Sequence, residues 1–293
     1  MNSGFVAVVG RPNVGKSTLV NMMVGKKVTI TSTRPQTTRN TIRGVVHGED
    51  HQIVLVDTPG LHKPKTELGN RLNSLVYGTL READLVIFVV DATMPVGPGD
   101  RLIAERLIEA KADVVVAVNK VDVASKEQTV SQLVTAAEWP FPDLFPVSAV
   151  TGDGVAELVE EVVSRLPEGP PYYPLDMITD QPETMIVAEI VREKFLDRLR
   201  DELPHALAVR VEEMSTREDG LLDIAADLIV ERNSQKGIVI GKGGALLGTA
   251  GSEARHELEA LFGTKVHLEL HVVVEKDWQG SPLLLDRLGF EEQ

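Results

Sequence analysis

The 293-residue chain contains no cysteine, which excludes a disulfide framework, a thiolate-ligated zinc or iron–sulfur centre, and thiol catalysis. Aromatic residues make up only 4% of it, so aliphatic side chains must build the core, and a hydrophobic content of 43% is enough for that. Positive charge is also short. Thirty Lys+Arg stand against 44 Asp+Glu, a net charge of −14, which argues against a general binder of nucleic acid or anionic membrane. Long apolar runs are missing as well: the longest, residues 85–90 and 114–118, have the length of buried strands and fall short of the roughly 18–20 residues of a membrane-spanning helix. The N-terminus shows no basic stretch leading into an apolar one, so no signal peptide is visible and a soluble, intracellular protein is expected. At roughly 150 residues per domain, the length suggests two domains.

Up to about residue 166, short apolar runs (5–9, 53–56, 85–90, 114–118, 144–147) alternate with helix-like stretches (18–24, 68–80, 100–110, 126–137, 155–166). Several runs are apolar without alternation, as in strands buried on both faces, which predicts an α/β domain with a doubly wound, mostly parallel sheet over 1–166. Four prolines among residues 167–174 can neither continue a helix nor sit in a central strand, so 167–182 reads as a Pro-rich linker, either a hinge or a packed connector. Over 183–293 the pattern changes. One long amphipathic helix is expected from Glu183 to about Glu202, stopped by Pro204. Strands follow at 207–211 and 221–230, then a glycine turn with a helix from about 245 to 261, and a last strand at 266–275. That order describes a smaller α+β domain.

Gly10-Arg11-Pro12-Asn13-Val14-Gly15-Lys16-Ser17 fits the phosphate-binding spacing G-x-x-x-x-G-K-[ST] and lies where that loop belongs, after a strand and opening a helix. Glycines let backbone N–H groups turn toward phosphate oxygens, and the helix N-terminus adds partial positive charge. Lys16 is expected on the β- and γ-phosphates and Ser17 on Mg²⁺, with Thr18 beside it in the phosphate set. Asp57-Thr58-Pro59-Gly60 ends the second run, where Asp57 suits Mg²⁺ through water and the Gly60 amide suits the γ-phosphate. Asn119-Lys120-Val121-Asp122 ends the fourth. A carboxylate at Asp122 matches guanine N1–H and N2–H₂, whereas adenine would leave it buried and unpaired. Ser148-Ala149 follows the fifth run, placing a backbone N–H for guanine O6. Four motifs in order, each at a strand's C-terminal end, predict a guanine-nucleotide site at the edge where open α/β sheets bind ligands.

This set resembles the translation-factor-like GTPases, and Thr33-Arg34-Pro35-Gln36-Thr37-Thr38-Arg39 looks like the first switch of the bacterial Era GTPases. The resemblance implies GTP hydrolysis to GDP and phosphate, with a switch threonine reaching Mg²⁺ and the γ-phosphate. Thr37 and Thr38 both qualify, and Thr38 is favoured. Ras-like enzymes place a Gln after the Asp57-Thr58-Pro59-Gly60 glycine to orient water. Here that position is Leu61, which implies slow intrinsic hydrolysis and leaves Lys16, Thr38, Gly60 and Asn13 as the catalytic candidates. Asn13 stands where related GTPases help hold a K⁺ ion. A single phosphate loop does not fit the tandem-domain ribosome-assembly GTPases.

In the second domain, Ile240-Gly241-Lys242-Gly243-Gly244 matches the G-x-x-G loop of KH domains, and the element order matches their second topology. Such a loop lets backbone approach a sugar–phosphate chain while a groove takes about four unstacked bases. Residues 232–252 carry Arg232, Lys236 and Lys242 and no acid. The segments 189–194 and 201–204 also look like the Era KH domain, so the resemblance spans almost the whole chain. It implies binding to the 3′ end of small-subunit (16S) ribosomal RNA, a role in small-subunit biogenesis, and association with the inner face of the membrane. A monomer that binds no DNA is expected. The alternatives are a GTP-dependent protein scaffold whose KH domain has lost RNA, or an ATPase. Trp278 either stacks on a base or seals the domain edge; sealing is the preferred reading. His205 and His256 have no metal-ligand spacing. The acidity of residues 151–293, net −15, predicts a narrow RNA site with weak nonspecific binding.

Overall fold

A computed structural model describes residues 1–32, 34, 37–61, 64 and 66–290. Thr33, Pro35 and Gln36 of the switch run lie outside the described residues.

The first sheet is built from β1 (Asn2–Val9), β2 (Ile42–His47), β3 (His51–Asp57), β4 (Leu85–Asp91), β5 (Val114–Asn119) and β6 (Asp143–Val147). Its order is β2-β3-β1-β4-β5-β6, with β2 antiparallel to β3 and every other pairing parallel. Helices α1 (Lys16–Val24), α2 (Glu67–Glu82), α3 (Pro98–Glu109) and α4 (Lys126–Ala136) lie between strands, and α5 (Val155–Arg165) follows β6. Two buried apolar clusters result, one joining the sheet to α1 and α5 and the other joining it to α2, α3 and α4. Strands covered on both faces explain the unbroken apolar runs. The edge strand β2 is absent from the sequence expectation, because Arg43, Gly44 and His47 interrupt its apolar pattern. Gly44 is needed there: a Cβ would come within 2.8 Å of Val24 Cγ2.

The proline-rich stretch packs as a connector against this sheet. Ser3 N–H donates to the Pro167 carbonyl at 3.0 Å. Gln52, fully buried, accepts from the N–H groups of Tyr172 and Tyr173 and donates to the Tyr173 carbonyl.

Beyond it come α6 (Glu183–Leu196), α7 (Leu203–Ala206), β7 (Ala208–Thr216), β8 (Leu222–Val230), α8 (Asn233–Ile240), α9 (Ala245–Phe262), β9 (Val266–Val274) and α10 (Pro282–Arg287). β7 pairs antiparallel and β9 parallel with β8. The expected helix over 183–202 is corrected here. It ends at Leu196, Asp201 is left-handed (φ 54°), and Pro204 falls in the first turn of α7. A proline costs little there because that N–H has no intrahelical partner, so Pro204 begins a helix and does not stop one. Residues 238–240 are the last turn of α8. The strand expected at 207–211 continues to Thr216 past a bulge between Val211 and Glu213. Among the described residues, no helix is long and apolar enough to cross a membrane.

Candidate functional site

The four motifs come together at the C-terminal edge of the first sheet. The loop between β1 and α1 is shaped by two left-handed residues, Asn13 (φ 66°) and Gly15 (φ 98°). A Cβ on Gly15 would lie 2.2 Å from Asn119 Nδ2, so only glycine lets the loop sit on the base motif. Val14 is buried in the core, and its carbonyl accepts from Asn119 Nδ2 at 2.8 Å. Helix α1 begins at Lys16, two residues earlier than expected, because Gly15 serves as its N-cap.

Lys16 is 7% exposed, and its Nζ donates to the carbonyls of Gly10 and Arg11 at 3.0 Å each. Burial pushes the Lys16 ammonium down to about 8, with Asp57 acting in the opposite sense. An anionic phosphate favours the charged form, so affinity for GDP should fall above about pH 8, approaching tenfold per pH unit. Titrating GDP binding between pH 7 and 9 checks this, and a flat profile contradicts it.

Asp57 lies at the end of β3, fully buried. Its Oδ2 accepts from Ser17 Oγ (2.7 Å), Thr29 Oγ1 (2.9 Å) and Thr38 Oγ1 (3.2 Å), and Ser17 and Thr38 lie 3.0 Å apart. Burial pushes this carboxyl up, against Lys16 and the three hydroxyls. Among the described residues its buried Oδ1 has no hydrogen-bond partner, an arrangement that costs free energy unless another donor or cation meets it. Thr37 points elsewhere, its hydroxyl donating to the Arg34 carbonyl at 2.8 Å. Thr18, Thr38 and Gly60 line the same pocket as Lys16 and Ser17.

At the ends of β5 and β6, Asn119 Oδ1 accepts from the Ala149 N–H at 2.9 Å, and Ser148 Oγ donates to Asp122 Oδ1 at 2.7 Å. Lys120 is left-handed (φ 73°) and donates to the Asn13 carbonyl (2.7 Å) and to Asp91 Oδ2 (2.6 Å). Asp91 was missed in the sequence. Burial alone would raise its carboxyl, but bonds from Lys120 and Thr93 outweigh that and hold it below the usual range. The available signal was an acid ending an apolar strand, the position Asp57 takes on β3. Thr29 was missed too, because nothing in the sequence marks it apart from other loop threonines.

The second candidate surface is the turn between α8 and α9. Gly241, Gly243 and Gly244 all have positive φ (76°, 61° and 79°), with Lys242 exposed between them. A Cβ on Gly241 would meet Leu246 N at 2.9 Å, whereas Gly243 and Gly244 face open space. Arg232 is exposed at the start of α8, with Lys236 and Ile240 half-buried along it.

Residues 5–120 match the model of a family described as 50S ribosome-binding GTPase, and 202–279 match the KH domain. The chain is 54% identical over 296 residues to GTPase Era of Mycobacterium tuberculosis, covering 99% of each, and 52% identical over 294 residues to GTPase Era of Mycolicibacterium smegmatis, covering 98% of each. The chain belongs to the Era GTPase family. Two solved Era structures, each 38% identical with a TM-score of 0.95, cover 99% of this chain. One is a tyrosine-to-alanine variant of Aquifex aeolicus Era bound to GDP·AlF₄⁻, matched over 100% of its chain. The other is Era in complex with MgGDPNP and nucleotides 1506–1542 of 16S ribosomal RNA, matched over 99%.

As an Era-family GTPase, the chain has Leu61 packed against the apolar cluster of β1 and β4, where it offers water neither donor nor acceptor. Trp278 is fully buried, its Nε1 donating to the Ala206 carbonyl at 3.0 Å and its ring stacked on Phe290. It seals the domain edge and presents no face to a base. Among the described residues, no group of three or more His, Asp or Glu is placed to hold a metal on its own.

Proposed function

We propose that this Era-family GTPase binds GTP at the β1–α1 loop and hydrolyses it, and that its KH domain binds the 3′ end of small-subunit ribosomal RNA. The observation that carries the reading is the convergence of Lys16, Ser17, Thr38 and Asp57 on one buried point with Asn119, Asp122 and Ser148 on the adjoining strand ends. The similarity to Era with MgGDPNP and a 16S RNA fragment supports extending it to RNA. On this reading, Gly10, Asn13, Val14, Gly15, Lys16 and Thr18 hold the phosphates, and the Lys16 ammonium stabilises charge as it grows on the β–γ bridge. The Gly60 amide meets the γ-phosphate. Asn119 braces the base motif against the phosphate loop, Asp122 reads N1–H and N2–H₂, Lys120 covers the base, and Ser148 and Ala149 frame O6.

The unpartnered Asp57 Oδ1, beside two hydroxyls, fits a hydrated Mg²⁺ held by Ser17, Thr38 and Asp57. That ion, when bound, supplies positive charge between β- and γ-phosphoryl oxygens. Leu61 leaves the attacking water without a side-chain guide, so intrinsic hydrolysis is slow. Asn13 lies in the phosphate loop and is assigned a K⁺ role on this reading: Asn13→Ala should abolish K⁺ stimulation of phosphate release, and stimulation that survives rules the role out.

RNA is held along Arg232, Lys236 and Ile240 and at Gly241 to Gly244, in the small ribosomal subunit during its maturation. The protein works as a cytoplasmic monomer, with no DNA partner. Any hold on the inner membrane face is peripheral, and the overall acidity works against a general attraction to anionic lipid. Purified protein should release phosphate from GTP without competition from equimolar ATP. Equal competition by ATP removes the guanine assignment.

A further inference from the structure

The segment between α1 and β2, which carries Thr38, is held from outside the nucleotide site. Thr31 N–H donates to Glu193 Oε1 at 2.9 Å, and Arg34 Nη2 donates to the Leu199 carbonyl at 3.0 Å. The strongest holds flank Thr38. On one side, Arg192 of α6 donates through Nη2 to the Thr37 carbonyl. On the other, Arg39 donates to three carbonyls across the domain boundary: Leu207 (2.7 Å), Pro204 (3.0 Å) and His205 (2.8 Å). Its guanidinium also lies 5.8 Å from the Trp278 ring centroid.

Both arginines are almost fully buried, at 2% and 1% exposure. Burying guanidinium charge costs free energy, and burial together with the neighbouring Arg192 pushes Arg39 down to about 9. Among the described residues no carboxylate hydrogen-bonds Arg39, although the Glu189 charge favours its charged form; it uses the planar fork of its donors to grip the carbonyl-rich α7 turn, a geometry a lysine ammonium does not reproduce. Arg192 is paired with Glu189, through Nε at 2.9 Å and Nη2 at 2.7 Å, so two buried guanidinium groups, one ion-paired and one bonded to carbonyls, stand on either side of one threonine.

We infer that Arg39 and Arg192 are positioning residues for GTP hydrolysis: from the KH side they fix the peptide groups on either side of Thr38, so that Thr38 Oγ1 stays at the Asp57–Ser17 cluster. The KH domain thereby supplies part of the geometry of the hydrolytic site. The inference rests on the reading of Thr38 as a ligand of Mg²⁺ and the γ-phosphate. GDP needs no contact from Thr38, so its affinity should not depend on either arginine.

The test uses the full chain. Arg39→Lys and Arg192→Lys are each assayed for single-turnover GTP hydrolysis, GDP affinity and Tm, with Thr38→Ala alongside. A displacement on the order of 1 Å costs up to about a hundredfold in rate. The expected result is a fall of at least about tenfold in the hydrolysis rate of each arginine variant, with GDP affinity within about twofold of the parent. The double variant should fall by less than the product of the single effects, because both residues hold one stretch. An unchanged rate in either variant, or a rate that falls only in step with GDP affinity and Tm, overturns the inference. If Arg39→Lys does not fold, Arg192→Lys decides it. An unchanged rate in Thr38→Ala would instead remove the underlying assignment of Thr38, which separates the two failures.

Discussion

Replacing Asp122 by Asn should weaken GTP binding on the order of 10³-fold or more, the largest single-residue effect expected anywhere in the protein. The carboxylate accepts from Ser148 Oγ at 2.7 Å and, on the proposed reading, accepts two further hydrogen bonds, from guanine N1–H and N2–H₂. An amide in its place offers one acceptor and turns an N–H₂ group toward the guanine donors. Sites built to hydrogen-bond a substrate group reject a mismatch by about 10⁴–10⁵, because buried polar groups are left facing one another unpaired. The same change should improve binding of xanthosine nucleotides, whose O2 accepts where guanine N2–H₂ donates. Competition of GTP and XTP for the variant measures both. Unchanged GTP affinity would mean that the base is not read at β5 and β6.

The second large effect is on RNA. Replacing Lys242 and Gly243 together by Asp should lower affinity for a single-stranded 16S 3′-terminal fragment by about a hundredfold or more, with GDP affinity unchanged. Gly243 is left-handed and faces open space, and Lys242 is exposed beside it. A side chain at 243 would therefore block the close approach of backbone to a sugar–phosphate chain. Two acids would also reverse the local charge in a domain that is already acidic. Because residues 151–293 carry net −15, little remote attraction remains to compensate. Filter binding at fixed salt measures the loss, and retained affinity would place the RNA elsewhere.

The nucleotide motifs were legible because phosphate and base recognition are written at fixed spacings within single loops. Gly10 to Ser17, Asp57 to Gly60 and Asn119 to Asp122 each need only their own strand end, and the apolar runs put those ends on one edge. The glycine turn at 241–244 was legible for the same reason. What escaped depends on contacts far apart in the chain. Asp91 matters because Lys120 reaches it, and Thr29 because Asp57 does, and neither partner lies nearby in sequence. Arg39 ends the run that resembles a first switch, yet its three acceptors lie some 165 residues on. The break in 183–202 escaped because the apolar spacing through Leu199 continues past the helix. Phe195 and Leu199 are buried whether or not Asp201 turns left-handed, so hydrophobic period alone does not mark where a helix ends. Edge strand β2 was lost to its arginine and glycine, residues that suit an exposed edge and a close helix.

The segment carrying Thr38 and helix α2 both meet one corner of the second domain, which ties these parts together. Arg39 grips the α7 turn under Trp278. Arg71 of α2 bonds Asp286 at 2.6 Å and also donates to the Phe290 carbonyl, and Leu68, Leu72 and Leu75 pack with Trp278, Leu285 and Phe290. On the proposed reading, a change at Thr38 or α2 would be felt by the body that presents the glycine turn.

The most direct test of a guanine-nucleotide site coupled to an RNA groove is the affinity of the full protein for the 16S 3′-terminal fragment, measured with a non-hydrolysable GTP analogue and with GDP across a salt series. The expected result is tighter binding with the GTP analogue, and a shallow salt slope reflecting the few phosphate contacts of a narrow site. Equal affinity in the two nucleotide states, or a steep slope with no preference for that RNA sequence, would contradict the account.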